Sequence, residues 1–143
     1  MSLFAGQNRE QLRQMYLQTW RKYSARLPLE PLEAQIAAVI AEHPEYVPLL
    51  ESGAPALSAD YTPEGGRENP FLHMGLHLAI REQLATDRPA GIAQMHEALS
   101  RRLGSAHAAE HAMLEPLAEV LWEAQRSGRM PDEQRYLERL RAL

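Results

Sequence analysis

The sequence contains no cysteine, and this absence removes several kinds of site at once. Disulfides, thiolate zinc sites, iron–sulfur clusters and a cysteine nucleophile are all excluded. The sequence also lacks a long apolar run, because no segment approaches the roughly 18 residues that a membrane-spanning helix needs. The N-terminal sequence becomes polar too early to contain the apolar core of a signal peptide. We therefore expect a soluble cytoplasmic protein with no membrane contact.

Basic charge is scarce as well. The net charge is −4, and among the 15 basic residues Lys22 is the single lysine. A broad basic surface for nucleic acid is therefore missing, which leaves nucleic-acid binding as a minor alternative restricted to an arginine-rich face. Binding of that kind would depend steeply on salt concentration.

Residues that favour β-strands are few. Val, Ile and Thr together supply 10 of the 143 residues, whereas Leu and Ala supply 21 each. Ala and Leu favour helices, and β-branched residues favour strands. With 45% hydrophobic residues the chain can bury a core, and its length suits one domain. The sequence therefore predicts an all-α fold with a single helical domain over residues 1–143.

Hydrophobic stripes and helix-capping signals predict a compact bundle of five to six helices. The segments are 8–26, 31–43, 70–86, 89–103, 105–126 and 131–143, and a short helical turn is expected at 46–51. Pro116 should kink the fifth segment or divide it. Residues 53–69 contain Pro, Gly and Ser without a sustained period, so we expect a long loop that is either a lid over a site or a connection.

The histidines form two pairs with helical spacing. His73 and His77 lie four residues apart in the third long segment, and His107 and His111 do so in the fifth, where Glu115 continues the line. Side chains at this spacing share one helical face, with Cβ atoms roughly 6 Å apart, and two such imidazoles can bind one metal ion. If the two helices face each other, the four histidines become ligands of one site, with Glu115 as a possible fifth.

A simpler interpretation is that the histidines are packed side chains whose ring nitrogens bond to backbone carbonyls. For His43 and His96 this structural interpretation is preferred. His43 ends the stripe of the second segment, where the helix macrodipole favours a histidine. For the His73–His77 pair the structural and metal-binding interpretations are about equally weighted, because each unpaired buried nitrogen costs about 1–3 kcal/mol.

Imidazole and carboxylate ligands without sulfur suit a divalent transition metal such as zinc, iron or manganese. The leading functional hypothesis is therefore a metal-binding helical protein. As an enzyme it would perform metal-assisted hydrolysis or iron-dependent oxygen chemistry, on an unidentified substrate. The alternative hypothesis is a non-catalytic interaction module, such as a homodimer, with structurally packed histidines.

Four stretches of the chain resemble a bacterial family named domain of unknown function 1841. They are NPFLHMGLHLAIREQLATDRPAGI at 69–92, HAAEHAM at 107–113, LWEAQRSGRMPDE at 121–133 and EHPEY at 42–46. The resemblance covers nearly the whole chain and implies a small soluble bacterial protein. It implies no activity.

The histidine pattern is also similar to that of hemerythrin-like bundles, which hold two irons through HxxxE and HxxxH motifs. Here His73 and His77 match HxxxH, and His111 with Glu115 matches HxxxE. The sequence departs from that pattern in two ways, because no histidine has an Asp five residues later and the two motifs occur in reverse order. The similarity implies a metal-binding bundle, with one metal as well supported as two.

Overall fold

The computed structural model describes residues 9–59, 61 and 69–143. This part of the chain contains eight α-helices, one 3₁₀ helix and no strand, which confirms the all-α prediction. In chain order they are α1 (Arg9–Ser24), α2 (Pro31–Ala41), the 3₁₀ helix (Pro44–Tyr46), α3 (Val47–Glu51), α4 (Ala54–Ser58), α5 (Pro70–Thr86), α6 (Ile92–Leu103), α7 (Ala106–Ser127) and α8 (Glu133–Arg141).

The predicted number of five to six helices is too low. The difference is due mainly to α4, because α3 lies at the short helical turn that was expected at 46–51; both helices have five residues and a proline in the first turn. A helix this short contains too few residues to show a hydrophobic period, and its proline is equally typical of a loop. Helix α4 lies within the predicted 53–69 loop, of which residues 60 and 62–68 are outside the described residues.

The chain divides into two compact units, Met1–Leu78 and Ala79–Leu143, and α5 contributes residues to both. The prediction of a single domain is not tested by this division and stays a prediction. The core of the first unit combines residues of α1 to α5: Tyr16, Leu17, Ile36, Val39, Ile40, Leu50, Ala56, Phe71, Met74 and Leu78.

Helices α1 and α2 are joined at their connection by a salt bridge. Lys22 Nζ lies 2.9 Å from Glu33 Oε2. The same carboxylate accepts a hydrogen bond from the backbone N–H of Glu30 at 2.8 Å, which completes a capping box at the start of α2. The bond from Glu30 and the nearby Lys22 ammonium hold the pKa of Glu33 below its ordinary value.

Arg13 holds the end of α4 against α1 from inside the first unit. The side chain is buried, and its Nη1 donates to the carbonyl oxygens of Ala56, Leu57 and Ala59 at 3.2, 3.3 and 2.7 Å. Its guanidinium carbon lies 4.8 Å from the centroid of the Phe71 ring, at the start of α5. Arg13 therefore satisfies carbonyl groups that a helix end leaves without intrahelical donors.

In the second unit, α6 begins later than the sequence predicts. The prediction placed the start at Asp87 and Pro89, whereas the first helical residue is Ile92. Gly91 adopts φ +94°, a conformation that favours glycine, and the Asp87 carboxylate accepts from the N–H groups of Gly91 and Ala93. The turn before the helix is therefore capped by an aspartate that lies outside it.

Helix α7 continues through Pro116 as one 22-residue helix, so the predicted division does not occur. Both ends of the helix are capped: Ser105 Oγ accepts from Ala108 N–H at 3.0 Å, and Gly128 follows the last helical residue with φ +69°. Helix α8 packs within its own unit, against α7 and α6. Its buried Tyr136 donates to Gln83 Oε1 at 2.7 Å, and burial raises the pKa of that hydroxyl.

Within the described ranges, no helix has both the length and the apolar character needed to cross a membrane.

Candidate metal centre

Helix α5 places His73 and His77 on consecutive turns of one face. The helix begins where the sequence predicts, because Asn69 Oδ1 accepts from the backbone N–H groups of Phe71 and Leu72 at 3.0 and 3.1 Å. The two imidazole centroids are 4.8 Å apart, and the two Nε2 atoms are 3.2 Å apart. His77 has no exposed surface, whereas His73 is partly exposed.

His43 joins this pair from the end of α2. Its ring centroid lies 4.7 Å from that of His77 and 5.0 Å from that of His73. The residue follows the last turn of α2, and its backbone N–H donates to Ile40 O at 2.9 Å. Only 4% of its surface is exposed. The three rings therefore form a mostly buried cluster in the first unit.

The hydrogen bond of His43 fixes its tautomer. Nδ1 lies 2.8 Å from the carbonyl oxygen of Val39, and a carbonyl oxygen can only accept, so Nδ1 carries the proton. With the proton on Nδ1, Nε2 is the ring nitrogen whose lone pair can bind an ion. Metal-binding histidines usually donate their second ring N–H to a carboxylate or a backbone carbonyl in this way.

The ligand atoms of the three histidines are close enough to bind one ion. One ring nitrogen from each of His43, His73 and His77 can be chosen so that all three lie within 4.8 Å of one another. Zinc–nitrogen bonds of 2.0–2.1 Å in tetrahedral geometry place two nitrogens about 3.3 Å apart. The 3.2 Å between the Nε2 atoms of His73 and His77 is close to that spacing, whereas nitrogens separated by the full 4.8 Å would have to move closer together before one zinc could bind both.

Tyr46, in the 3₁₀ helix after α2, borders the cluster. Its ring is nearly parallel to that of His43, with centroids 5.5 Å apart and an angle of 4° between planes. It also meets the ring of His73 edge to face at 6.1 Å. The stacking restricts the orientation of His43, because sliding or rotating its ring would lose this aromatic contact.

The second predicted pair lies in the other unit. His107 and His111 are exposed on α7 with ring centroids 6.0 Å apart, and Glu115 is exposed one turn further. No feature of either unit tests whether these residues share a site with His73 and His77, and that arrangement stays a prediction.

The remaining residues considered as ligands have structural partners. His96 Nε2 donates to the carbonyl oxygen of Ala106 at 3.2 Å, as the structural interpretation expects. Glu110, which precedes His111, is buried and accepts from Arg81 Nε at 3.0 and 3.3 Å. Its carboxylate therefore neutralises a guanidinium within the second unit.

The sequence-based ligand set omitted His43, although the structure places it beside His73 and His77. Its position at the end of a helical stripe favoured a packed histidine that bonds to a backbone carbonyl. The bond to Val39 confirms that interpretation. The omission has a physical reason: an i, i+4 pair is visible in a sequence, whereas the approach of a third histidine 30 residues away depends on how the end of α2 lies against α5. Two features of the sequence could have drawn attention to His43: it lies at the end of an apolar helix face, and Pro44 directly follows it.

Comparison with known proteins identifies the family but no activity. The family model described as Domain of unknown function (DUF1841) matches residues 8–142, nearly the whole chain. Neither the curated proteins nor the solved structures gave a match.

Proposed function

The chain belongs to the DUF1841 family, whose description states no activity, and from its own site we propose that it binds one divalent transition metal ion. The ligands are His43, His73 and His77. The observation that carries the proposal is the approach of three imidazole nitrogens to within 4.8 Å of one another. Three histidines are a common protein ligand set for zinc.

The surroundings of the three rings support this proposal. His73 and His77 are held by a capped helix, and His43 is held by its bond to Val39 and by stacking on Tyr46. A ligand that is already oriented loses little conformational freedom when the metal binds. Since imidazole is neutral when it binds a metal, protons compete with the ion, and affinity falls as the pH decreases below about 6.

Nitrogen ligands without sulfur favour zinc, iron or manganese as the class of ion. The set predicted from the sequence, in which His107, His111 and Glu115 join His73 and His77, is a separate proposal with a different set of ligands. His43 distinguishes the two, because it is a ligand only in the three-histidine proposal.

Zinc titration of untagged, metal-free protein tests the proposal, with a chelating indicator competing for the ion. We expect one equivalent of tightly bound Zn²⁺ in the unchanged protein, and loss of that equivalent in His43→Asn and in the double variant His73→Asn/His77→Asn. The matched control is His107→Ala/His111→Ala, which removes two exposed histidines and should retain the metal.

Circular dichroism of each metal-free variant shows whether it remains helical, so that a lost ligand is separated from a lost fold. Retention of zinc by a folded His43→Asn variant would contradict the three-histidine site. Loss of zinc from the His107→Ala/His111→Ala variant would support the five-residue site instead.

A second candidate function is a metal-free interaction module, such as a homodimer. The hydrogen bonds of His43 to Val39 and of His77 to His73 favour it, because they give the ring nitrogens partners without an ion. Under this alternative no protein-bound zinc appears in the titration.

A further inference from the structure

Helix α1 ends beside an open groove in the first unit. The groove has a volume of about 480 Å³ and is lined by residues of the last turns of α1 and of the segment that follows: Trp20, Tyr23, Ser24, Arg26 and Leu27. Cavities that bind small molecules commonly have volumes of about 300–1,000 Å³. The groove therefore has room for a small organic ligand.

The aromatic lining of the groove consists of two stacked rings. The ring centroids of Trp20 and Tyr23 are 5.2 Å apart, with 30° between the ring planes. The indole Nε1 of Trp20 donates to Glu51 Oε2 at 3.4 Å, which orients the ring. Tyr23 is 46% exposed and Leu27 is 54% exposed, so apolar surface of the groove is in contact with water. A planar ligand that covers these side chains removes that surface from water, and an aromatic ligand adds a ring–ring contact.

Arg26 places a positive charge in the groove from an unusual backbone conformation. Its φ is +58°, in the left-handed region. Its N–H donates to Tyr23 O at 3.1 Å and the N–H of Leu27 donates to Lys22 O at 2.9 Å, which is the pattern of a Schellman helix end. Glycine is the usual residue at this position, because it adopts positive φ without a steric cost. The turn therefore does not require the side chain of Arg26.

The charge of Arg26 determines the class of ligand. A guanidinium binds a carboxylate through two parallel hydrogen bonds. The ammonium of Lys22, in the same turn of α1, is balanced by Glu33 at 2.9 Å. Among the five lining residues, Arg26 is the one that is charged at neutral pH. A single positive charge suits a carboxylate better than a phosphate group, which carries nearly two negative charges.

From these contacts we infer that the groove at the end of α1 binds a small aromatic carboxylate, whose ring lies against Tyr23 and Leu27 and whose carboxylate pairs with Arg26. The groove shares no residue with the three-histidine set, and binding in it requires no metal. The association is reversible, and no covalent bond forms or breaks.

Nuclear magnetic resonance of the two tryptophan indole N–H groups tests the inference, with naphthoate as the probe. The chain contains Trp20, which lines the groove, and Trp122, which does not. Trp122 is exposed on α7 with the guanidinium carbon of Arg126 4.5 Å from its ring centroid, so it is an internal control for an aromatic–arginine pair outside the groove. The variant Trp122→Phe assigns the two signals. We expect a saturable shift of the Trp20 signal with one naphthoate per chain, and little change in the Trp122 signal.

The variant Arg26→Gly separates binding from folding. Glycine adopts a φ of +58° freely, so the variant should unfold at a urea concentration no lower than that of the unchanged protein. Loss of the charge-assisted pair should weaken naphthoate binding about tenfold. The matched control is Arg21→Ala, which removes an exposed arginine of α1 that does not line the groove and should leave the affinity unchanged.

The neutral analogue naphthalenemethanol and the non-aromatic cyclohexanecarboxylate test the two parts of the ligand separately. We expect each to bind more weakly than naphthoate, and equal binding by either would show that the groove does not select an aromatic carboxylate. An unchanged Trp20 signal, or equal shifts of both indole signals, would overturn the inference. Undiminished binding of naphthoate by Arg26→Gly would overturn it as well, because Arg26 would then not be the partner of the carboxylate.

Discussion

The Nε2 atoms of His73 and His77 lie 3.2 Å apart on consecutive turns of α5. Without an ion, a hydrogen bond at this distance has the N–H of one Nε2 donating to the lone pair of the other Nε2. With an ion between them, both nitrogens present lone pairs to the metal. The same spacing therefore accommodates a hydrogen bond and a metal site, and metal binding exchanges one for the other.

Metal should raise the thermal stability of the protein. An ion that binds the folded chain and not the unfolded chain stabilises it by about 4 kcal/mol when its concentration exceeds Kd a thousandfold. We expect the melting temperature to increase on addition of Zn²⁺ and to return on addition of excess chelator, as measured by calorimetry. The His107→Ala/His111→Ala variant should show the same increase, and the His43→Asn variant should show none. An equal increase in melting temperature in both variants would show that the stabilising metal binds elsewhere.

Replacing Arg13 should destabilise the protein far more than replacing Arg9. Arg13 is buried and donates to three carbonyl oxygens, whereas Arg9 is exposed and donates to the carbonyl oxygens of Ser58 and Ala59. Arg13→Met leaves buried acceptors without their donor, and we expect a loss of about 2–3 kcal/mol in the free energy of unfolding. For Arg9→Met we expect about 0.5 kcal/mol. Urea unfolding followed by circular dichroism measures both, and equal losses would show that burial of Arg13 is unimportant.

The ion pair of Arg81 with Glu110 should matter more than an exposed pair of the same type. Glu110→Ala leaves the Arg81 guanidinium partly buried without its carboxylate, which we expect to cost about 3 kcal/mol. The control is Glu97→Ala, which breaks the exposed Arg101–Glu97 pair and should cost about 0.3–0.5 kcal/mol.

The double variant Arg81→Met/Glu110→Leu separates the cost of a broken pair from the value of the pair. It should recover most of the stability lost in Glu110→Ala, because neither charge remains buried. If the double variant is less stable than Glu110→Ala, the charges themselves stabilise the second unit. Chemical unfolding at a fixed salt concentration gives the comparison.

Glu33 should make the stability depend on acid. The pKa of its carboxyl is lower in the folded chain than its ordinary value of 4.5, because it accepts from the Glu30 N–H and faces Lys22. The folded state therefore favours the carboxylate, and this contribution is present above the ordinary value and is lost as the pH falls through the folded-state value. We expect Glu33→Gln to be less stable than the unchanged protein near neutral pH.

The difference between the Glu33→Gln variant and the unchanged protein should become small in acid, where both side chains are neutral. Urea unfolding of both proteins across a pH series measures it. A difference that stays constant from neutral to acidic pH would show that the effect arises from packing and not from charge.

The sequence predicted most of the long helices, because their signals are local. Asn69, Ser105 and Asp132 each accept a hydrogen bond from a backbone N–H at the helix start where the sequence places a cap. The helix count and the start of α6 were less predictable. Helix α4 is too short for a period, and α6 is capped by Asp87 through a turn that only the folded backbone defines.

Two of the three histidines of the candidate site could be predicted in the same way. The pairing of His73 with His77 follows from the period of a helix, and the structure places them together in the first unit. The position of His43 depends on tertiary packing, which a spacing rule does not contain. Whether His107 and His111 share a site with His73 and His77 also depends on tertiary packing. That arrangement stays a prediction.

The most direct test of the metal site is the metal content of the protein as it is purified. Untagged protein, prepared without chelator and without added metal, is measured by elemental mass spectrometry beside the His43→Asn and His107→Ala/His111→Ala variants. The account predicts about one equivalent of zinc, iron or manganese in the unchanged protein and in the His107→Ala/His111→Ala variant, and none in His43→Asn. A metal-free protein that takes up no ion when metals are added back would contradict it.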